Sequence, residues 1–314
     1  MQSLREGNYS AREGVMQPPE KRARREARIV IARILLGSLF FCVAGTLLVG
    51  PSSGATPPIS ASWAEDRVWD DGLAEVAMYE ASRPIYGAPR SYEAILLTVK
   101  EDFDAEKLIK ANTPFGQRAI VTVLKQNAVR EIATPNYDYR IMTSTFVERD
   151  DPTRLVKLTS GSHEWCGNTW KAIRSRDGRL VYDWSSYIDG EGDGAQLLDV
   201  GPGDLLEDQL PLVLRGLEFR EGLAFEFRML PGMANTHAGP GGWIPASLRI
   251  AGRETVELPV GSIDAWRVEI VAAGRTASYW FDVDGTHPLV QAEVPGADSL
   301  RLKKIERRAY WRLR

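Results

Sequence analysis

The chain has 314 residues, a net charge of −3 with histidine neutral, 44% hydrophobic residues and two cysteines. That length and apolar content suffice for a sizeable packed core and exclude a disordered or collagen-like chain. The mildly acidic balance argues against nucleic acid as a partner, and two cysteines exclude a disulfide scaffold.

The N-terminus is asymmetric in charge. Residues 1–33 hold eight Lys/Arg and four Asp/Glu, a local net of +4 that leaves −7 for residues 34–314. The run Ile34–Gly50 then carries no charge over 17 residues. As a helix it spans about 26 Å, close to the thickness of a bilayer core. A basic flank followed by an apolar run has the order of a signal sequence or an N-terminal membrane anchor. Both remain open, because Gly50–Ala55 and Ile59–Trp63 contain small residues suited to cleavage. Cys42 follows Phe40 and Phe41 and so makes no lipoprotein box. The expected organisation is a basic cytoplasmic N-terminus at 1–28, a signal or anchor helix at 29–50, a linker at 51–62 and one exported β domain at 63–314. This places the domain in the periplasm or another extracytoplasmic space, with the membrane contacted through the N-terminal helix. Only Cys166 remains in the domain, so no disulfide can form within it.

The domain reads as antiparallel β. Alternating runs rich in Val, Ile, Thr, Tyr and Trp occur at Leu73–Ala81, Tyr92–Lys100, Arg118–Gln126, Tyr139–Arg149, Leu155–Ser160, Thr169–Arg174 and Leu180–Trp184. Asp177-Gly178 between two such runs predicts a hairpin. A short polar helix is expected at Asp104–Lys110, capped by Asp102 or Asp104. The acidic, glycine-rich Asp189–Gly194 reads as a solvated flexible loop; it lacks the ligand order and terminal Glu of an EF-hand. Asp204–Leu217 is the clearest helix candidate, with Asp204 as cap, Gly216 at its end and a kink or division at Pro211. Strands resume at Ala224–Met229, Trp243–Ile250, Glu254–Pro259, Ala265–Ala272, Thr276–Val283, Leu289–Glu293 and Leu300–Tyr310. Pro231–Gly242 is rich in Gly and Pro and reads as a mobile loop. Many short strands and few helices predict a large, curled antiparallel sheet with one or two short helices.

The stretch Ala265–Glu306 pairs an interior strand with Tyr279–Phe281, a tight turn at Asp282–Gly285, His287-Pro288-Leu289-Val290 and a last strand. It resembles the end of the LolA-like half-barrel families, periplasmic lipoprotein carriers and related exported domains. The resemblance implies a curved antiparallel sheet wrapped around helical segments and able to hold a lipid; it brings no catalytic residues. Trp69–Val76, Val129–Ile132, Asp151–Lys157 and Glu164–Trp170 resemble a group of exported bacterial proteins of unknown function.

The densest cluster of chemically capable side chains is His163, Glu164, Trp165, Cys166, Asn168 and Trp170. As a core feature, Cys166 would be a small buried hydrophobe, the two tryptophans core or lining rings, and His163 a satisfied hydrogen-bonding group. As a functional feature, the six would contact a ligand, or His163, Glu164 and Cys166 would serve a thiol or hydrolytic enzyme. A regular strand puts His163 and Cys166 on opposite faces, and no cation within the motif activates the thiol. His237 and His287 lie in separate loops, so no metal set is legible, and no phosphate loop or nucleophile elbow implies a cofactor or reaction. Asp70/Asp71 and Asp150/Asp151 read as solvated turn residues. The expected function is binding of a lipid or other hydrophobic ligand in the curved sheet, with Asp204–Leu217 and Pro231–Gly242 as a lid. An envelope protein that binds a protein partner is the further alternative.

Overall fold

The computed structural model describes residues 57–312. Sixteen strands among them form a single sheet: β1 (Ala74–Ile85), β2 (Ala88–Asp104), β3 (Ile109–Lys110), β4 (Ile120–Ile132), β5 (Tyr139–Glu148), β6 (Leu155–Glu164), β7 (Gly167–Arg176), β8 (Arg179–Ser186), β9 (Asp193–Asp199), β10 (Leu205–Leu206), β11 (Ala224–Leu230), β12 (Ile244–Leu258), β13 (Gly261–Ala272), β14 (Arg275–Asp282), β15 (Leu289–Glu293) and β16 (Ser299–Arg308). The strands run in the order β10-β11-β12-β13-β14-β15-β16-β1-β2-β4-β5-β6-β7-β8-β9, with β3 added beside β2. Only β10–β11 is parallel. The sheet is therefore a large, open, curved meander in which the last strand pairs with the first, Ala74 opposite Arg308.

Alternation explains the strands. In β1, Ala77, Tyr79 and Ala81 are buried at every second position, and in β8 Leu180, Tyr182 and Trp184 repeat the pattern. Asp177 and Gly178 both adopt positive φ, as a two-residue type I′ hairpin requires. Register shifts in the β1–β16, β5–β6, β12–β13 and β14–β15 pairs add bulges, which strengthen local twist and bend the sheet. Gly252, at φ +148°, sits in the β12 bulge and lets one continuous strand replace the two runs expected at Trp243–Ile250 and Glu254–Pro259.

Three expectations fail for local reasons. At Asp104–Lys110 a turn replaces the helix: Asp104 Oδ1 accepts from Glu106 and Lys107 N–H, and β3 then pairs back onto β2. Asp189–Gly194 is a short turn leading into β9, an edge strand hidden from sequence reading by its polar, glycine-containing start. Asp204–Leu217 is not one helix. It is β10, a 3₁₀ turn (Glu207–Gln209), a four-residue helix α2 (Leu210–Val213) and a second 3₁₀ turn (Leu214–Gly216). Asp204 does not cap it; its carboxylate accepts from Gly201 N–H and pairs with Arg228.

This segment is a strap that fills the concave side of the sheet. Leu205, Leu210, Val213, Leu214 and Leu217 pack into the largest apolar cluster, with β1, β2 and β11 to β16. Leu206 joins a second cluster on β6 to β9, and Leu212 a third with Trp63, Trp69, Leu124 and Val147. A short segment that is apolar on every side is one that is enclosed on every side. The strap is fastened at Arg215, whose guanidinium donates to both oxygens of Glu75 and to the carbonyls of Thr286 and His287. It also stacks over the rings of Trp63 and Trp69. Residues 57–62 lie against the same place: Ser60 N–H donates to Gly216 O, and Ile59 bridges to Leu217.

Asp70 and Asp71 are not merely solvated. Asp70 pairs with Lys100 and Arg149, which hold its carboxyl well below the usual range, and Asp71 pairs with Arg307. They pin the turn Arg67–Asp70 to β2, to Arg149 just after β5, and to β16. Among the described residues no helix is long and apolar enough to cross a membrane, and the anchor or signal expected at 29–50 lies outside them.

Candidate functional site

The six residues singled out in the sequence occupy the tip of the β6–β7 hairpin. Glu164 pairs with Gly167 across a two-residue connection made by Trp165 and Cys166. Cys166 is exposed and Trp165 is 84% exposed, so neither is the buried core residue expected. The apolar environment inferred for them is absent because a hairpin tip has no neighbouring strand to cover it. His163 Nδ1 lies 2.7 Å from Asn168 Oδ1 on the adjacent strand, and the Cys166 thiol contacts the Tyr137 hydroxyl at 3.2 Å. His163 and Cys166 are thus engaged with different partners. Trp170 points to the convex face, where Arg174 lies over its ring. The tip belongs to a surface group of rings: Trp165 stacks on Tyr137, whose hydroxyl is 2.8 Å from that of Tyr86. Tyr187 lies against Gly167, where a Cβ would stand 2.5 Å from its ring.

A cavity lies elsewhere, between the strap, the β11–β12 loop and the concave face of the sheet. Its volume is about 490 Å³. One wall is apolar, with Met229, Ile244, Ile270, Ala277, Leu289 and Leu300 from β11 to β16; Leu210 and Pro211 of the strap form the floor. A second, polar part of the wall comes from β1, β4 and β5 and the β15–β16 turn: Arg83, Gln126, Arg130, Thr143, Thr145 and Asp298.

On that wall Asp298 accepts from Arg130 and Tyr92 and forms an ion pair with Arg83. Arg130 Nε lies 2.7 Å from Oδ2, Arg83 Nε 3.1 Å from Oδ1, and the Tyr92 hydroxyl donates to Oδ1 at 2.6 Å. Burial pushes the Asp298 carboxyl up, but Arg130 and Arg83, with Tyr92, outweigh it and bring the net shift down. The same burial, with Asp298 beside it, pushes the Tyr92 phenol up.

The β11–β12 loop, expected to be mobile, is held on many sides. Glu207 accepts from Gly232 N–H at 2.8 Å and Asp208 from Met233 N–H at 2.6 Å. Ser160 donates to Met233 O, Arg83 to Ala234 O and Thr169 to Thr236 O. Lys171 Nζ donates to the Asn235 carbonyl, the Asn235 side chain and the His237 carbonyl. Gln196 exchanges two bonds with Gly241. The loop lacks regular structure because its prolines lack a donor and its glycines favour turns, and side chains of β1, β6, β7, β9 and the strap satisfy its backbone instead. It bridges from β11 across the concave side to the far strands. Burial pushes Lys171 down to about 8, and pushes the Glu207 and Asp208 carboxyls up.

Sequence reading missed Arg83, Arg130, Lys171 and Asp298 as a site. Phase was the available signal for the three cations. Arg83 continues the buried positions Tyr79 and Ala81, Arg130 falls in phase with Leu124 and Ile132, and Lys171 with Thr169 and Ile173. A cation at an inward position of a strand has to meet a partner inside.

Among the described residues no group of three or more His, Cys, Asp or Glu is placed to hold a metal ion. The chain shows no match to a protein family, to a curated protein or to a solved structure.

Proposed function

We propose that this chain is an exported or membrane-anchored, LolA-like binding protein that holds a lipid or other amphipathic ligand in the concave cavity. The observation that carries the reading is the cavity itself: about 490 Å³, walled by apolar side chains on one side and closed by a strap and a loop. Ligand pockets fall in this size range and combine apolar lining with a few polar groups. Each CH₂ that an acyl chain buries there contributes about 0.8 kcal/mol. The basic, then apolar N-terminus supports placement at or beyond a membrane.

The thiol-enzyme reading finds no support in the hairpin tip, where His163 is bonded to Asn168 and Cys166 to Tyr137. The exposed rings Tyr86, Trp165 and Tyr187 favour a second role for that end of the sheet, contact with a protein partner.

Native mass spectrometry of the chain purified from its own host, with organic extraction, tests the binding reading. A co-purifying lipid in fixed ratio, lost in Ala277→Trp, is the expected result, because Ala277 lines the apolar wall. An empty wild-type chain that also takes up no added amphiphile would overturn it.

A further inference from the structure

We propose that Arg83 and Arg130 form an anion subsite on the polar wall and select an amphipathic ligand carrying one acidic headgroup, a carboxylate or a phosphate. This rests on the cavity-binding reading above and deepens it.

Three observations carry it. First, the charges do not balance within the cluster. Two guanidiniums share one carboxylate, Asp298, which lies between them. One positive charge is left over in a place where both arginine side chains are nearly buried, 7% and 12% exposed. Buried charge without compensation is costly, and an anionic ligand supplies the missing partner.

Second, donors remain unused. Arg83 spends Nε on Asp298 and Nη1 on Ala234 O. Arg130 spends Nε on Asp298 and Nη1 on Ala128 O. Neither Nη2 group has a hydrogen-bond acceptor among the described residues, and both arginines line the cavity. A planar fork of N–H groups matches carboxylate and phosphate oxygens.

Third, the nearest rival anions are engaged. Glu207 and Asp208 also line the cavity, but each accepts from a loop N–H, Gly232 or Met233. Arg275, from the β13–β14 hairpin, adds a further cation to the lining. The apolar lining and this cluster share one cavity, so one molecule with a charged end and a greasy body fits both.

The test compares three probes of equal chain length, palmitate, hexadecyl phosphate and hexadecanol, for equilibrium binding to the full chain held in a nonionic amphipol. The expected result is that palmitate, hexadecyl phosphate or both bind at least tenfold tighter than hexadecanol. The Arg130→Met variant should bring the acids to within twofold of the alcohol. If that variant does not fold, the wild-type ratio alone decides. Preference for the carboxylate points to a fatty-acid-like source, and preference for the phosphate to a phospholipid-like one. Equal binding of all three would overturn the anion subsite and leave the cavity reading standing. Binding of none would overturn both.

Discussion

Arg215→Met removes the clip that holds the strap. Arg215 is 2% exposed, and its guanidinium meets Glu75 at 2.8 and 3.1 Å, Thr286 O at 2.9 Å and His287 O at 3.1 Å. Trp63 and Trp69 lie 4.9 and 5.5 Å from it, ring centroid to guanidinium carbon. Methionine refills most of the volume, so the loss is electrostatic and not chiefly a cavity. Glu75, itself buried, is left with an unpaired carboxylate, a change that costs about 3–5 kcal/mol when one partner of a buried pair is deleted. The two cation–π contacts add about 0.5–2 kcal/mol each, less what the relaxed site recovers. The expected destabilisation is about 4 kcal/mol. The assay is equilibrium urea unfolding followed by fluorescence, since Trp63 and Trp69 sit at the clip. With a slope of about 3 kcal/mol per molar, the midpoint falls by more than about 1 M. The pairing argument is checked by Glu75→Gln and by the double variant, which should cost about 1–3 kcal/mol less than the sum of the two singles. A single substitution costing under about 1 kcal/mol, or strict additivity, would refute the claim that this ion pair fastens the strap.

Lys171 should leave a pH signature. Its value of about 8 in the fold lies below its ordinary 10.5, with burial as the main cause, so the unfolded chain binds more protons between those limits and stability rises with pH through that window. The gain approaches about 3 kcal/mol, and the difference in stability between wild type and Lys171→Met, measured at pH 7.5 and again at pH 10, should change by an amount of that order. A constant difference would count against the burial argument. Gly216→Ala should cost about 1–3 kcal/mol in thermal or urea unfolding, because its Cβ would stand 2.2 Å from the Ser60 carbonyl, a backbone atom. Unchanged stability there would mean that residues 57–62 do not pack on the strap. Iodoacetamide should label Cys166 in the folded chain without denaturant, as read by peptide mass mapping; labelling only after unfolding would contradict the exposed hairpin tip.

The strands were legible because alternation is local: a residue and its second neighbour share a face whatever the rest of the chain does. Leu155–Ser160, Thr169–Arg174 and Leu180–Trp184 announce β6, β7 and β8 this way, and Asp177-Gly178 announces the turn between two of them. The strap was legible as apolar and as kinked or divided at Pro211, but not as a short strand followed by single turns, since its conformation follows from enclosure on all sides rather than from its own periodicity. The cluster at 160–170 drew attention through composition, yet composition does not say whether a strand end is covered, and here it is not. The polar wall was hidden for a different reason. Asp298 meets Arg130 across 168 positions and Tyr92 across 206. The sequence by itself determined an antiparallel β body behind a basic and apolar N-terminus. Only the tertiary structure decided that β16 closes on β1, that the strap and loop enclose a cavity, and that two arginines face one aspartate inside it. Such meetings depend on strand register and sheet curvature, which are set by the packing of the whole sheet and leave no mark in any short stretch of the chain.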